Sequence, residues 1–231
     1  MLTFWWSAVR FVPWVTCVTG ILLTVPAHAQ HPQAMVDQAE AAFVAGRLDE
    51  AVAGFDRLAA RDPEAGPWMW QRGIALYEIG RFEDCAAQFA AYQGVNPGDV
   101  ESAVWHAACV ARARSLDEAR AGMFPPGRDP RVMRAEIYEM FAGRLSPAVV
   151  IGRAQLMAEV ALFYAYFYSG LYAEVSGDQA VAARYLERAT SDRFEDLAGF
   201  MNEVARVHWM RAQARLRAAG PGPGGHEESG R

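Results

Sequence analysis

Residues 46–63 read GRLDEAVAGFDRLAARDP, and 34 positions later residues 80–97 read GRFEDCAAQFAAYQGVNP. The two align without a gap. Gly46 pairs with Gly80, Arg47 with Arg81, Leu48 with Phe82, Ala51 with Cys85, Phe55 with Phe89, Leu58 with Tyr92 and Pro63 with Pro97. Each copy is a turn, an amphipathic helix and a stop. A helix this short is marginal alone in water. A chain that repeats it must bury each apolar face against the next copy, so the fold is constrained to helices stacked in a periodic array.

The helices between these copies share the period. Ala34–Ala45 has Ala39 as its small contact residue, and Trp68–Ile79 has Gly73, 34 residues later. A third register begins near Val100, with Ala103, Ala107 and Ala119 at small positions and Arg114 in place of the turn glycine. Its second helix is expected to stop at Phe124, because Pro125-Pro126-Gly127 cannot continue it. After an irregular link to Pro130 the period resumes. Gly143 and Gly177 lie 34 apart and each closes a helix: Arg131–Ala142, then the run FYAYFYSGLYAEVSGD with Gly170 as its small contact. Pro147–Met157 and Gln179–Thr190 follow, and in the latter Ala182, Leu186 and Ala189 match Ala51, Phe55 and Leu58. A last helix, Leu197–Arg217, has no partner. No stretch alternates over strand length, so the chain reads as all α.

These positions have structural work to do. Gly46, Gly80, Gly143 and Gly177 suit the left-handed conformation at a helix end. Gly73 with Cys85, and Gly170 with Ala182, are small enough for two helix axes to approach closely, while Phe55, Phe89 and Leu186 fill the space against the next unit.

The repeats resemble the tetratricopeptide family over 32–217. The expected architecture is a helix-pair solenoid of about five units plus a C-terminal capping helix. Units 1–3 span 32–124, the link 125–130, the degenerate units and capping helix 131–217, and a disordered tail 218–231. Exported tetratricopeptide proteins of the NlpI lipoprotein type are similar in joining a short array to degenerate later repeats. That resemblance implies a non-catalytic adaptor, often dimeric, that docks envelope enzymes or proteases. The chain departs from that type in having no lipobox cysteine, so membrane anchoring is not carried over, and in the link that interrupts the array.

The N-terminus sets the expected compartment. Arg10 precedes an apolar run from Phe11 to Val25, followed by Pro26-Ala27-His28-Ala29. This predicts a signal peptide over 1–29, cleaved after Ala29, and a periplasmic or secreted protein with no membrane insertion afterwards. The run is shorter than the ~20 apolar residues of a spanning helix. Export permits a disulfide. Yet Cys85 and Cys109 both lie in alanine-rich helices, so two buried free thiols are the favoured expectation over a bridge. A net charge of −5 and the absence of a basic, aromatic-interleaved run argue against nucleic acid. All 22 basic residues are arginine.

Helical spacing from the small contacts projects one stripe onto the concave face of such an array. It comprises Val36, Glu40, Phe43, Trp70, Ile74, Tyr77, Val104, Met133, Ile137, Met140, Tyr164, Phe167 and Leu171. An apolar, aromatic groove suits a hydrophobic helix or peptide from a partner. The alternative, which is favoured, is a groove filled by Leu197–Arg217 or by a second subunit, since soluble proteins seldom expose so large a patch. No catalytic, cofactor-binding or metal-ligating motif is present, and among the histidines of the expected mature chain, His31, His106, His208 and His226, no two are spaced to share a metal. The expected function is that of an exported scaffold binding protein or peptide partners. A permanent structural subunit of an envelope complex, a self-filling homodimer, or an enzyme with a non-contiguous site are the alternatives.

Overall fold

The computed structural model describes residues 32–219. The expected signal segment 1–29 and residues 220–231 of the expected tail lie outside them. The described residues form eleven α-helices and no strand. These are α1 Pro32–Val44, α2 Leu48–Arg61, α3 Trp70–Glu78, α4 Phe82–Val95, α5 Val100–Ala113 and α6 Leu116–Ala121, then α7 Arg134–Phe141, α8 Pro147–Ala154, α9 Glu159–Val175, α10 Gln179–Ala189 and α11 Phe200–Ala219. Each odd-numbered helix up to α9 packs on the helix that follows it, and α11 packs on α10 while reaching α1 and α3.

The turns explain why the helices come in pairs. At Gly46 the φ angle is 75°; Gly46 N–H donates to Phe43 and Arg47 N–H to Ala42. The same two bonds recur at Gly80 (φ 82°), Gly143 (φ 79°) and Gly177 (φ 90°), in the last case from Gly177 to Glu174 and from Asp178 to Ala173. This double closure satisfies the last carbonyls and needs a left-handed residue, which glycine supplies without strain. After Gly46, Gly80 and Gly177 the next helix starts two residues on, and after Gly143 at Pro147. Arg47 pairs with Glu50 at 2.5 Å, and Arg81 with Asp84 at 2.7 Å, so the acidic first turns of α2 and α4 are held alike. Inside the pairs the small residues let side chains through: a Cβ at Gly73 would come within 2.5 Å of the Phe89 ring.

The link differs in detail from the sequence expectation. α6 ends at Ala121 rather than Phe124, and α7 begins at Arg134 rather than Arg131. Met133 stands before α7 at φ 65°, buried, and so belongs to the turn rather than to the helix face. Arg131 is drawn out of the helix by Asp99 at 2.7 Å, Asp129 at 2.5 Å and Glu101 at 3.1 Å. Phe124 O accepts from the Tyr138 hydroxyl at 3.0 Å, and Gly127 lies against the backbone of Gly98. The link is thereby strapped across the α4–α5 turn. α8 is three residues shorter than expected, and the last helix runs Phe200–Ala219 instead of Leu197–Arg217.

Cys85 and Cys109 form a disulfide, which corrects the expectation of two free thiols. The reason is geometric: α4 and α5 pack directly, and the two small residues face each other with Cα atoms 5.8 Å apart, within disulfide range.

Candidate functional site

α1, α3 and α9 each turn an apolar side toward α11. Phe43 and Trp70 meet the Phe200 ring at 5.6 and 5.8 Å between centroids, and Tyr77 and Phe167 lie 5.8 and 6.2 Å from the His208 ring. Arg206 donates to the carbonyl of Val44 at 2.6 Å. Of the stripe projected as a concave face, Phe43, Ile74, Tyr77, Val104, Met133, Ile137, Met140, Phe167 and Leu171 are all buried. The reading of these nine as an exposed groove is therefore corrected: they are interior, partly because α11 covers them. Val36, Glu40, Trp70 and Tyr164 are half-buried, and Glu40 accepts from Gln71 at 2.9 Å.

An ionic cluster lies within this covered face. Glu78 at the end of α3, Glu174 near the end of α9 and His208 in the middle of α11 all have fully buried side chains. His208 Nδ1 lies 2.5 Å from Glu78 Oε1, and Nε2 lies 3.2 Å from Glu174 Oε2. Glu174 also accepts from the Tyr77 hydroxyl at 3.0 Å, from Arg215 at 2.5 Å and from Arg112. Arg211 reaches within 3.6 Å of Glu78. Burial opposes the imidazolium charge, but the two carboxylates outweigh it and push the His208 pKa up to about 10. Burial likewise works to raise Glu174, yet His208, Arg215 and Arg112 hold it at about 2. At neutral pH His208 keeps its proton and Glu174 is ionised, and the cluster ties α11 to α3, α5 and α9.

The sequence reading missed every member of this lock except Tyr77. A signal was available. Glu78 ends the run IALYE, and Glu174 is the one charge between Glu159 and Asp178 in an otherwise uncharged stretch. A charge set alone among apolar residues requires a buried partner.

One part of the face stays open. Near the N-terminal end of α11 a cavity of about 220 Å³ is lined by Trp70, Glu101, Trp105, Arg134, Tyr164 and Met201, among others. The guanidinium of Arg134 lies 4.1 Å from the Tyr164 ring centroid and bonds Glu101 at 2.7 Å. Glu101 also accepts from the Tyr168 hydroxyl. Elsewhere, His106 packs 4.5 Å from Phe124, and burial lowers its pKa, as expected of a packed rather than a reactive ring. Among the described residues no group of three or more His, Cys, Asp or Glu side chains is placed to hold a metal ion, and no helix is long and apolar enough to cross a membrane.

These observations define an all-helical protein of successive helix pairs, closed on one face by its own last helix. No protein-family model matches the chain, and no curated protein matches it in sequence.

Proposed function

We propose that the chain is an exported tetratricopeptide-type scaffold that binds protein partners and performs no catalysis itself. The observation that carries this reading is the 34-residue period, expressed as four glycine turns of one geometry and as repeated helix pairs. The partner contacts the open end of the face around Trp70 and Tyr164, because the rest is occupied by α11. Aromatic side chains that are half-exposed at a cavity rim are the usual anchors of protein interfaces. The test is capture from an envelope extract by the mature chain and by a Trp70→Ser/Tyr164→Ser variant. Capture of a defined partner is expected to be lost in the variant while helicity is kept. Unchanged capture would place the binding surface elsewhere.

A second reading, a permanent subunit of a larger assembly, is favoured by one observation. Val149, Leu156 and Met157 are exposed along α8 and the turn after it, Leu156 at 89%. Native-size analysis of the chain in extracts separates the two readings: a single stable high-mass species supports the permanent subunit, and a mostly free chain supports the adaptor.

A further inference from the structure

Three large apolar side chains stand open in one short stretch: Val149 on α8, and Leu156 and Met157 in the turn after it, at 43, 89 and 51% exposure. The helical path runs on past the end of α8. Gln155 N–H donates to Ile151 and Leu156 N–H to Arg153. Ala148, Gly152 and Leu156, four residues apart, therefore share one exposed ridge, with Val149 beside it. α8 buries Val150, Ile151 and Ala154 on its other side.

Gly152 shows what this ridge is shaped for. Glycine inside a helix is destabilising relative to alanine. At Gly54, Gly73 and Gly170 the small residue is required, because Ala39, Phe89 and Leu186 come against it. A Cβ at Gly152 would meet nothing within 4 Å. The space it leaves faces outward, where a second helix can approach closely.

The charges narrow what that second helix is. In α10 the exposed side carries Arg184, Glu187 and Arg188, and in α2 it carries Asp49, Glu50, Arg57 and Arg61. Between Ser146 and Ala158 the one charge is Arg153, which lies 3.8 Å from Glu136. A charged partner would find no counter-charge on the ridge, and an uncharged apolar one matches it. The ridge is also complementary to itself. Ala148 and Leu156 are equally far from Gly152 along the chain. A second copy laid antiparallel across Gly152 sets each Leu156 over the Ala148 of the other copy and brings the two glycines together, the reciprocal contact a two-fold axis demands. We propose that α8 is the dimer interface of this chain, packed about a two-fold axis at Gly152 against α8 of a second copy. Val149, Leu156 and Met157 leave on the order of 300 Å² open, the size at which an apolar patch marks an interaction site. A stable dimer buries about 800 Å² a side, so these side chains supply its apolar centre, and Arg153 and Gln155 lie in its polar rim. Pairing of this kind needs no other protein, so it stands whether or not partners bind at Trp70 and Tyr164.

The purified mature chain is followed by sedimentation velocity between about 1 and 100 μM, where a dimer of ordinary affinity dissociates. A single monomer–dimer equilibrium is expected. Leu156→Glu puts a charge without a counter-charge into the centre of the contact and should weaken the dimer by about a hundredfold. Gly152→Leu meets open space within one copy and improves the helix, so it should weaken the dimer as strongly while far-UV helicity and monomer melting are kept. Gly152→Cys should link two copies on mild oxidation, since Cys85 and Cys109 are already bridged to each other. Arg184→Cys, on the exposed side of α10, should not. A chain that stays monomeric to the highest concentration, a dimer that both Leu156→Glu and Gly152→Leu leave intact, or Gly152→Cys linking no better than Arg184→Cys would each overturn the assignment.

Discussion

His208 owes its charge to the two carboxylates that flank it, and that makes the stability of the molecule depend on pH in a definite direction. Its folded pKa of about 10 lies above the usual 6.5. Its contribution is therefore full below about pH 6.5 and is lost as pH rises through about 10. Glu174, held at about 2 against 4.5, contributes fully above about pH 4.5 and loses its contribution as pH falls toward 2. The groups facing His208 are Glu78 of α3, Glu174 of α9 and, through those carboxylates, Tyr77, Arg112, Arg211 and Arg215. Replacing His208 by leucine leaves buried Glu78 with only Arg211 at 3.6 Å, removes one of the cations on buried Glu174, and should cost about 3–5 kcal/mol. Urea unfolding across pH 5–10 checks the His208 contribution and the cost of removing it. The wild-type chain should lose stability above neutrality, and the variant should lack that alkaline decline. Equal slopes would show that His208 is not charged in the fold. Spacing alone could not reveal this lock, because its members stand on α3, α5, α9 and α11 and meet only after the chain is packed.

The helix pairs were more accessible than the lock, for a local reason. A glycine turn followed at once by an acidic first turn is written in consecutive residues, as at Gly46–Glu50 and Gly80–Asp84. The all-helical character follows from the same pattern. Helix limits were harder wherever a distant contact decides them. α7 starts late because Arg131 is claimed by Asp99, Asp129 and Glu101, two of them more than 29 residues away. The bridge between α4 and α5 is another such case. Alanine-rich surroundings suggested inert thiols, while the packing of the two helices brings Cys85 and Cys109 together. With its ends 24 positions apart the bridge should contribute about 3 kcal/mol by restricting the unfolded chain. Reduction by dithiothreitol should lower the urea midpoint accordingly. Titration of two free thiols in the unfolded, unreduced protein would contradict the pairing.

Across the whole molecule, the apolar stripe of the odd-numbered helices and the last helix make a single interior. The stripe was legible as a face that needed cover, since its residues recur at the 34-residue period, as in Phe43 with Tyr77 and Met133 with Phe167. What covers it was not, because Leu197–Arg217 and a second subunit satisfy the same apolar demand. The contacts of Phe200 with Phe43 and Trp70, and of His208 with Glu78 and Glu174, assign that role to α11 of the same chain. The most direct measurement of this closure replaces Phe200 by a photo-reactive benzoylphenylalanine in a mixture of light and nitrogen-15 chains. Illumination should yield cross-links to Phe43 or Trp70, with both peptides always of one isotope. Mixed-isotope pairs, or cross-links that never reach α1 or α3, would contradict a face closed by the chain's own last helix.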